Sequence, residues 1–178
     1  MTGVAADRLR VEEADPLPIV EELREVHRSA LGVGALSDEW ARRSLPAHVE
    51  RRDFVFLVAR EEGELVGFGY GYTGEHGQWW TETVARSLSP AQREQWLDPP
   101  HFEVVELHVR PSRQRQGIGS ALLAQLISRQ PHERALLSTQ TASAKARAFY
   151  AKNGWTELAD VDFGPGYPGY LVLGKRLR

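Results

Sequence analysis

A single mixed α/β domain is the fold that this sequence predicts, and three observations predict it. Two apolar, β-rich runs, 54–58 and 65–70, flank the turn Glu61-Glu62-Gly63-Glu64, which is a hairpin signal. From Val104 onward the pattern reads strand, helix, strand, helix, which implies a right-handed crossover and at least one parallel strand pair. The 178 residues suit one sizeable core better than two small ones.

The elements follow in order. Leu9, Val11 and Ala14 give a short, weakly alternating first strand. Pro16 and Pro18 suit the first turn of a helix, and Ile19, Val20, Leu23, Val26, His27, Ala30 and Leu31 continue it at helical spacing. Gly32 and Gly34 close it, and Ser37 opens a second helical stretch with Glu39 and Trp40 in its first turn. After the hairpin, residues 73–101 read as an ordered insertion between the third and fourth strands. It holds Trp79, Trp80 and Trp96, and a short helical piece after Ser89-Pro90. Aromatic residues this dense need burial, although a flap that orders only with ligand fits the same composition. Strand 104–109, helix 117–129, strand 135–139 and helix 142–153 complete the crossover, and residues 155–161 and 170–177 supply two last strands.

Composition narrows the function. A formal net charge of −2 argues against a nucleic-acid partner, which calls for a basic surface. The absence of cysteine excludes disulfides, thiolate metal sites and a cysteine nucleophile, and no metal is expected. Met1 to Glu13 carries acids without a continuous apolar stretch, and no segment has the apolar length of a bilayer span. A cytoplasmic protein without a membrane partner is the expectation.

The most informative segment is Arg113-Gln114-Arg115-Gln116-Gly117-Ile118-Gly119-Ser120, between a strand and a helix. Glycines let the backbone turn tightly and let a ligand approach. The free N–H groups of the first helical turn favour an anion, and Arg113 and Arg115 add mobile positive charge. The ATP-binding loop needs a Gly-Lys pair that is missing here, and the dinucleotide fingerprint needs a third glycine where Leu122 stands. A connection that binds nothing is the competing reading.

With these residues in view, the sequence resembles the GNAT superfamily of acyl-CoA-dependent N-acetyltransferases. Gln114, Gly117 and Gly119 match its Gln/Arg-x-x-Gly-x-Gly/Ala signature between strand and helix. Ala146, Tyr150 and Gly154 match a second family pattern downstream, in which Ser143 replaces an Asn and Trp155 a Phe. The resemblance implies a mixed, mostly antiparallel sheet splayed between strands 4 and 5, with helices on both faces. It also implies acetyl-CoA as cofactor: pantetheine along Leu107, His108 and Val109, and pyrophosphate on the amides of Gln114 to Ser120, with Ser143, Ala146 and Tyr150 nearby. Ser143 is equally suited to cap its helix.

The implied reaction is acetyl transfer to the primary amine of a small molecule in a ternary complex. A lysine-like amine has a pKa of ~10.4, so neutralising it at pH 7 costs about 4.6 kcal/mol, and a base is useful. Regular pairing places Glu106 and His108 on one strand face and Glu103 on the other, with Leu107, unless a bulge changes the parity. Glu106 acting through a water is the first candidate, then Glu103, then His108; a merely solvated or arginine-paired carboxylate is the bland reading. The resemblance gives Tyr150 the task of protonating the departing thiolate, against a plain core tyrosine packed on Phe149. Trp79, Trp80 and Glu82 could attract a cationic amine, or the tryptophans simply fill core. A protein or peptide acceptor and a non-catalytic acyl-CoA sensor are the other readings, and a homodimer is compatible with the family.

Overall fold

The computed structural model describes residues 9–32 and 34–178. The first eight residues, part of the Met1–Glu13 stretch read above, lie outside the described residues. Seven strands run in the order β1-β2-β3-β4-β5-β7-β6. They are β1 (Leu9–Glu13), β2 (Val55–Glu61), β3 (Glu64–Gly74), β4 (His101–Val109), β5 (Arg134–Gln140), β6 (Thr156–Val161) and β7 (Tyr170–Arg176). β1, β2 and β3 are antiparallel neighbours, and so are β5, β7 and β6. β4 meets β5 in parallel, in the pairs Phe102–Ala135 and Glu103–Leu136. The sheet is mixed, mostly antiparallel, and contains the parallel pair expected of the crossover.

Two compact units divide the chain. The first runs to Tyr72 and resumes over Val105–Arg129; the second joins Thr73–Val104 to Gln130–Arg178.

In the first unit, the prolines shape a 3₁₀ turn (Leu17–Ile19) that leads into α1 (Val20–Leu31), which Gly32 ends at φ +73°. The next helix starts earlier than expected: α2 spans Gly34–Glu39 and continues through a π-helical turn, Trp40–Ser44, into α3 (Leu45–Val49). Ser37 is therefore not a cap. It lies inside α2, fully buried, because its hydroxyl has a partner on α1. Leu23, Val26, Trp40, Leu45, Phe56, Phe68 and Tyr70 share one buried layer. The opposite face carries α6 (Ile118–Ser128), close to Gly67 and Gly69 of β3. A Cβ on Gly67 would stand 2.8 Å from the His108 carbonyl oxygen, and one on Gly69 would stand 2.9 Å from Leu107 Cδ1. These two glycines let β4 lie against β3.

In the second unit, the expected insertion holds two helices where the sequence announced one: α4 (Trp79–Ser87) and α5 (Pro90–Trp96). A capping box between Ser89 and Gln92 starts α5. α4 begins at Gln78 without a side-chain cap, which is why no start signal was visible. Val84, Leu88, Trp96 and Leu97 form a core with Leu136, Val161 and Val172, and Trp80 packs against it. α7 (Ala144–Lys152) completes the unit.

Candidate active site

The β4 residues Glu106 and His108 share a face, as alternation requires: His108 Nε2 donates a very short hydrogen bond to Glu106 Oε2. His27 of α1 faces the same carboxylate, its Nε2 3.8 Å from Glu106 Oε1. Its Nδ1 lies 2.8 Å from Ser37 Oγ, and its ring stacks on Trp40 at 4.4 Å and 7°. Trp40 sits on the π-helical turn, a local widening that often marks functional sites. Val105, next to Glu106, packs against the buried layer that holds Leu23, Trp40 and Phe68.

The electrostatics follow from this packing. Burial favours the neutral acid at Glu106, but the charge and hydrogen bond of His108, joined by those of His27, outweigh it and hold the carboxyl at about 2. Glu106 is thus a carboxylate at neutral pH, and its side chain keeps 25% of its exposure. Behind it, Trp40 Nε1 donates to Tyr70 Oη at 2.9 Å, and Tyr70 lies 2.9 Å from His48 Nδ1. With Nδ1 unprotonated, His48 accepts the phenolic proton there. Burial pushes His48 below its ordinary range, in keeping with an imidazole that accepts there.

Glu103 falls in the second unit, buried and paired in register with Leu136. The sequence ranked Glu103 and His108 without seeing His27 or Ser37. Neither shows a motif, because His27 meets β4, and Ser37 meets His27, only through folding.

The glycine-rich turn has the geometry of an anion cradle. Arg115 at φ +63° and Gly117 at φ +83° are both left-handed, and α6 makes its first bond from Ala121 N–H to Gly117 O at 3.0 Å. The amides of Ile118, Gly119 and Ser120 precede that bond and are free of the helix ladder. Arg115, Gln116 and Gly117 are exposed, and a Cβ on Gly117 would meet nothing within 4 Å, so space for a ligand exists. One expectation needs correction: Arg113 is not a mobile charge, since its guanidinium binds Glu61 at 3.0 Å. Gln114 Nε2 donates to Val109 O at 3.1 Å and ties the turn to the end of β4.

In the second unit, Ser143 caps α7 by accepting from Ala146 N–H at 3.3 Å. Tyr150 is partly exposed, its ring edge-on to Phe149 (5.1 Å) and Trp155 (5.9 Å). Trp80, partly buried against the core, donates from Nε1 to Ser138 at 3.2 Å. Glu82 accepts from Gly77 N–H and meets His76, both at 2.9 Å, and so fastens the loop before α4. Trp79 alone of the three expected acceptor residues is widely open, 60% exposed beside Phe163 and Tyr167.

Comparison with known proteins decides the family. Residues 19–155 match the model of the Acetyltransferase (GNAT) family. The chain belongs to the GNAT acetyltransferases. It is 32% identical over 121 residues to the GCN5-like protein acetyltransferase Rv2170 of Mycobacterium tuberculosis, a match covering 64% of this chain and 59% of that protein. A GNAT-family structure from Desulfovibrio desulfuricans superposes with a TM-score of 0.71 at 16% identity, covering 96% of this chain and 99% of that one. The PaiA N-acetyltransferase of Thermoplasma acidophilum, solved with coenzyme A, gives 0.63 at 16% identity, covering 94% and 98%. A GNAT acetyltransferase is an acyltransferase that uses acetyl-CoA, and the turn at Arg115–Ser120 fits the diphosphate of that group. Among the described residues, no helix is long and apolar enough to cross a membrane.

Proposed function

We propose that this GNAT enzyme moves an acetyl group from acetyl-CoA to a primary amine of a small molecule by direct attack in a ternary complex. The observation that carries the reading is the Glu106–His108 couple, a partly open carboxylate hydrogen-bonded to an imidazole on β4. Bound acetyl-CoA supplies the thioester that the amine attacks. Glu106 attracts the ammonium form and holds the His108 ring, and His108, directly or through a water, takes up the proton. The ring of His108, held at Nε2 by the carboxylate, presents Nδ1 for exchange. Amides of Ile118, Gly119 and Ser120, with Arg115, hold the diphosphate, and the main chain of Leu107 to Val109 pairs with pantetheine. Tyr150 donates the phenolic proton to the departing thiolate, and Ser143 keeps a hydroxyl proton to donate while it caps α7. Insertion residue Trp79, rather than Trp80 or Glu82, is the acceptor contact that we propose, since only it combines an aromatic face with wide exposure. We place the enzyme in the cytoplasm.

A second acceptor class has support of its own. The 32% relative is named a protein acetyltransferase, so a lysine or a peptide N-terminus is the alternative amine. Thiol release across a panel of small amines and short peptides separates the two. Glu106→Gln should lower turnover about 10²–10⁴-fold on whichever amine responds. Undiminished turnover would remove the couple from the reaction.

A further inference from the structure

His27, Glu106 and His108 form a group that no sequence spacing reveals: two imidazoles and one carboxylate whose ligand atoms lie within 4.8 Å of one another. We propose that they bind a zinc-class divalent ion, and that the bound ion inhibits acetyl transfer. The inhibitory half rests on the proposed role of Glu106 and His108; the binding half does not.

The donor set is the one such ions prefer. Imidazole nitrogen suits zinc and its neighbours, and a single carboxylate offsets half of the charge. Zinc–nitrogen and zinc–oxygen bonds of about 2.0–2.2 Å put tetrahedral ligand atoms about 3.3 Å apart. His27 Nε2 and Glu106 Oε1 already stand at 3.8 Å. The very short His108–Glu106 contact has to open, and the half-open Glu106 side chain is the member free to swing.

The surroundings supply what a ligating histidine needs. Ser37 Oγ, 2.8 Å from His27 Nδ1, can take the Nδ1 proton and leave Nε2 its lone pair. Trp40 fixes the ring plane by stacking on it. His27 is anchored at 3% side-chain exposure, while His108 keeps 11% and Glu106 25%. That gradient leaves one side open for a water as fourth ligand, the arrangement of a labile rather than a sealed site. An ion seated there takes the carboxylate and imidazole on which acceptance of the amine proton depends.

The test uses the full chain, stripped with a chelator that is then removed. Zinc chloride is titrated by calorimetry, and cobalt(II) by its visible absorption as a spectroscopic probe. One equivalent is expected to bind. His27→Gln, Glu106→Gln and His108→Gln should each weaken binding at least about tenfold, and Ser37→Ala about tenfold through the second ring nitrogen. His76→Asn, which alters the histidine between Glu82 and Asp98, should leave the affinity unchanged. Circular dichroism and thermal melts establish that each variant folds, and zinc should raise the melting temperature of the native chain but not of Glu106→Gln. Absence of binding, unchanged affinity in the three ligand variants, or loss of binding in His76→Asn overturns the site. Chelator-reversible loss of acetyl transfer is expected with zinc; binding without inhibition overturns the second half. Should the chain transfer acetyl to no amine at all, the functional reading fails while the titration still decides the site.

Discussion

At the level of single residues, Tyr150 and Ser143 make separable predictions. Tyr150→Phe should reduce turnover roughly 10²–10⁴-fold under chemistry-limited conditions, the range for one acid–base partner. A thiol is already a fair leaving group, so the enzyme should keep residual activity; full activity in stopped-flow thiol release would exclude the role. Ser143→Ala removes the oxygen that accepts from Ala146 N–H and should cost ~1 kcal/mol of stability by urea titration. If Ser143 also binds pantetheine, the affinity for coenzyme A falls in the same variant.

At the level of elements, the strand-to-helix turns were the most legible part of the sequence. Gly117 and Gly119 marked the start of α6 because glycine tolerates what a Cβ forbids, and Gly117 is indeed left-handed. Gly117→Ala should lower stability by about 1 kcal/mol from conformation alone, because nothing stands within 4 Å of the added methyl. A larger cost in coenzyme A affinity, read by calorimetry, would mark the cradle; equal affinity would dismiss it. Gly67→Ala is the contrasting case. Its Cβ meets the His108 carbonyl, so β4 itself has to move, with a cost of roughly 1–3 kcal/mol in thermal melts. Signals that depend on tertiary partners were invisible. The Ser37–His27 hydrogen bond and the Arg113–Glu61 ion pair join residues of different elements, and the start of α4 carries no side-chain cap to announce it.

For the whole molecule, acid stability hinges on a histidine that takes no part in the candidate site. His101 is fully buried, and among the described residues neither ring nitrogen has a hydrogen-bond partner. Burial, aided by the charges of His132, His76 and Arg134, lowers it from 6.5 to about 3. Above pH 6.5 both folded and unfolded chains are neutral there, and no pH dependence arises. Between 6.5 and about 3 only the unfolded chain takes the proton, so stability drains away as the pH falls, in total by a few kcal/mol on an order-of-magnitude reckoning. His101→Leu should flatten the slope of unfolding free energy against pH across that window; an unchanged slope would acquit His101.

The crossover order and hairpin made the fold class readable from residue pattern alone, whereas the α1 neighbour of Glu106 was not, because His27 lies about 80 positions away in the chain and is itself held by Ser37 of α2.

The stacking of Trp40 on His27 has an optical consequence. Of five tryptophans, the other four (Trp79, Trp80, Trp96 and Trp155) belong to the second unit. An excited indole readily gives up an electron to a cationic imidazole in face-to-face contact, and its emission dims. Trp40 is therefore an intrinsic lamp beside His27: whatever changes the charge on that ring changes its brightness.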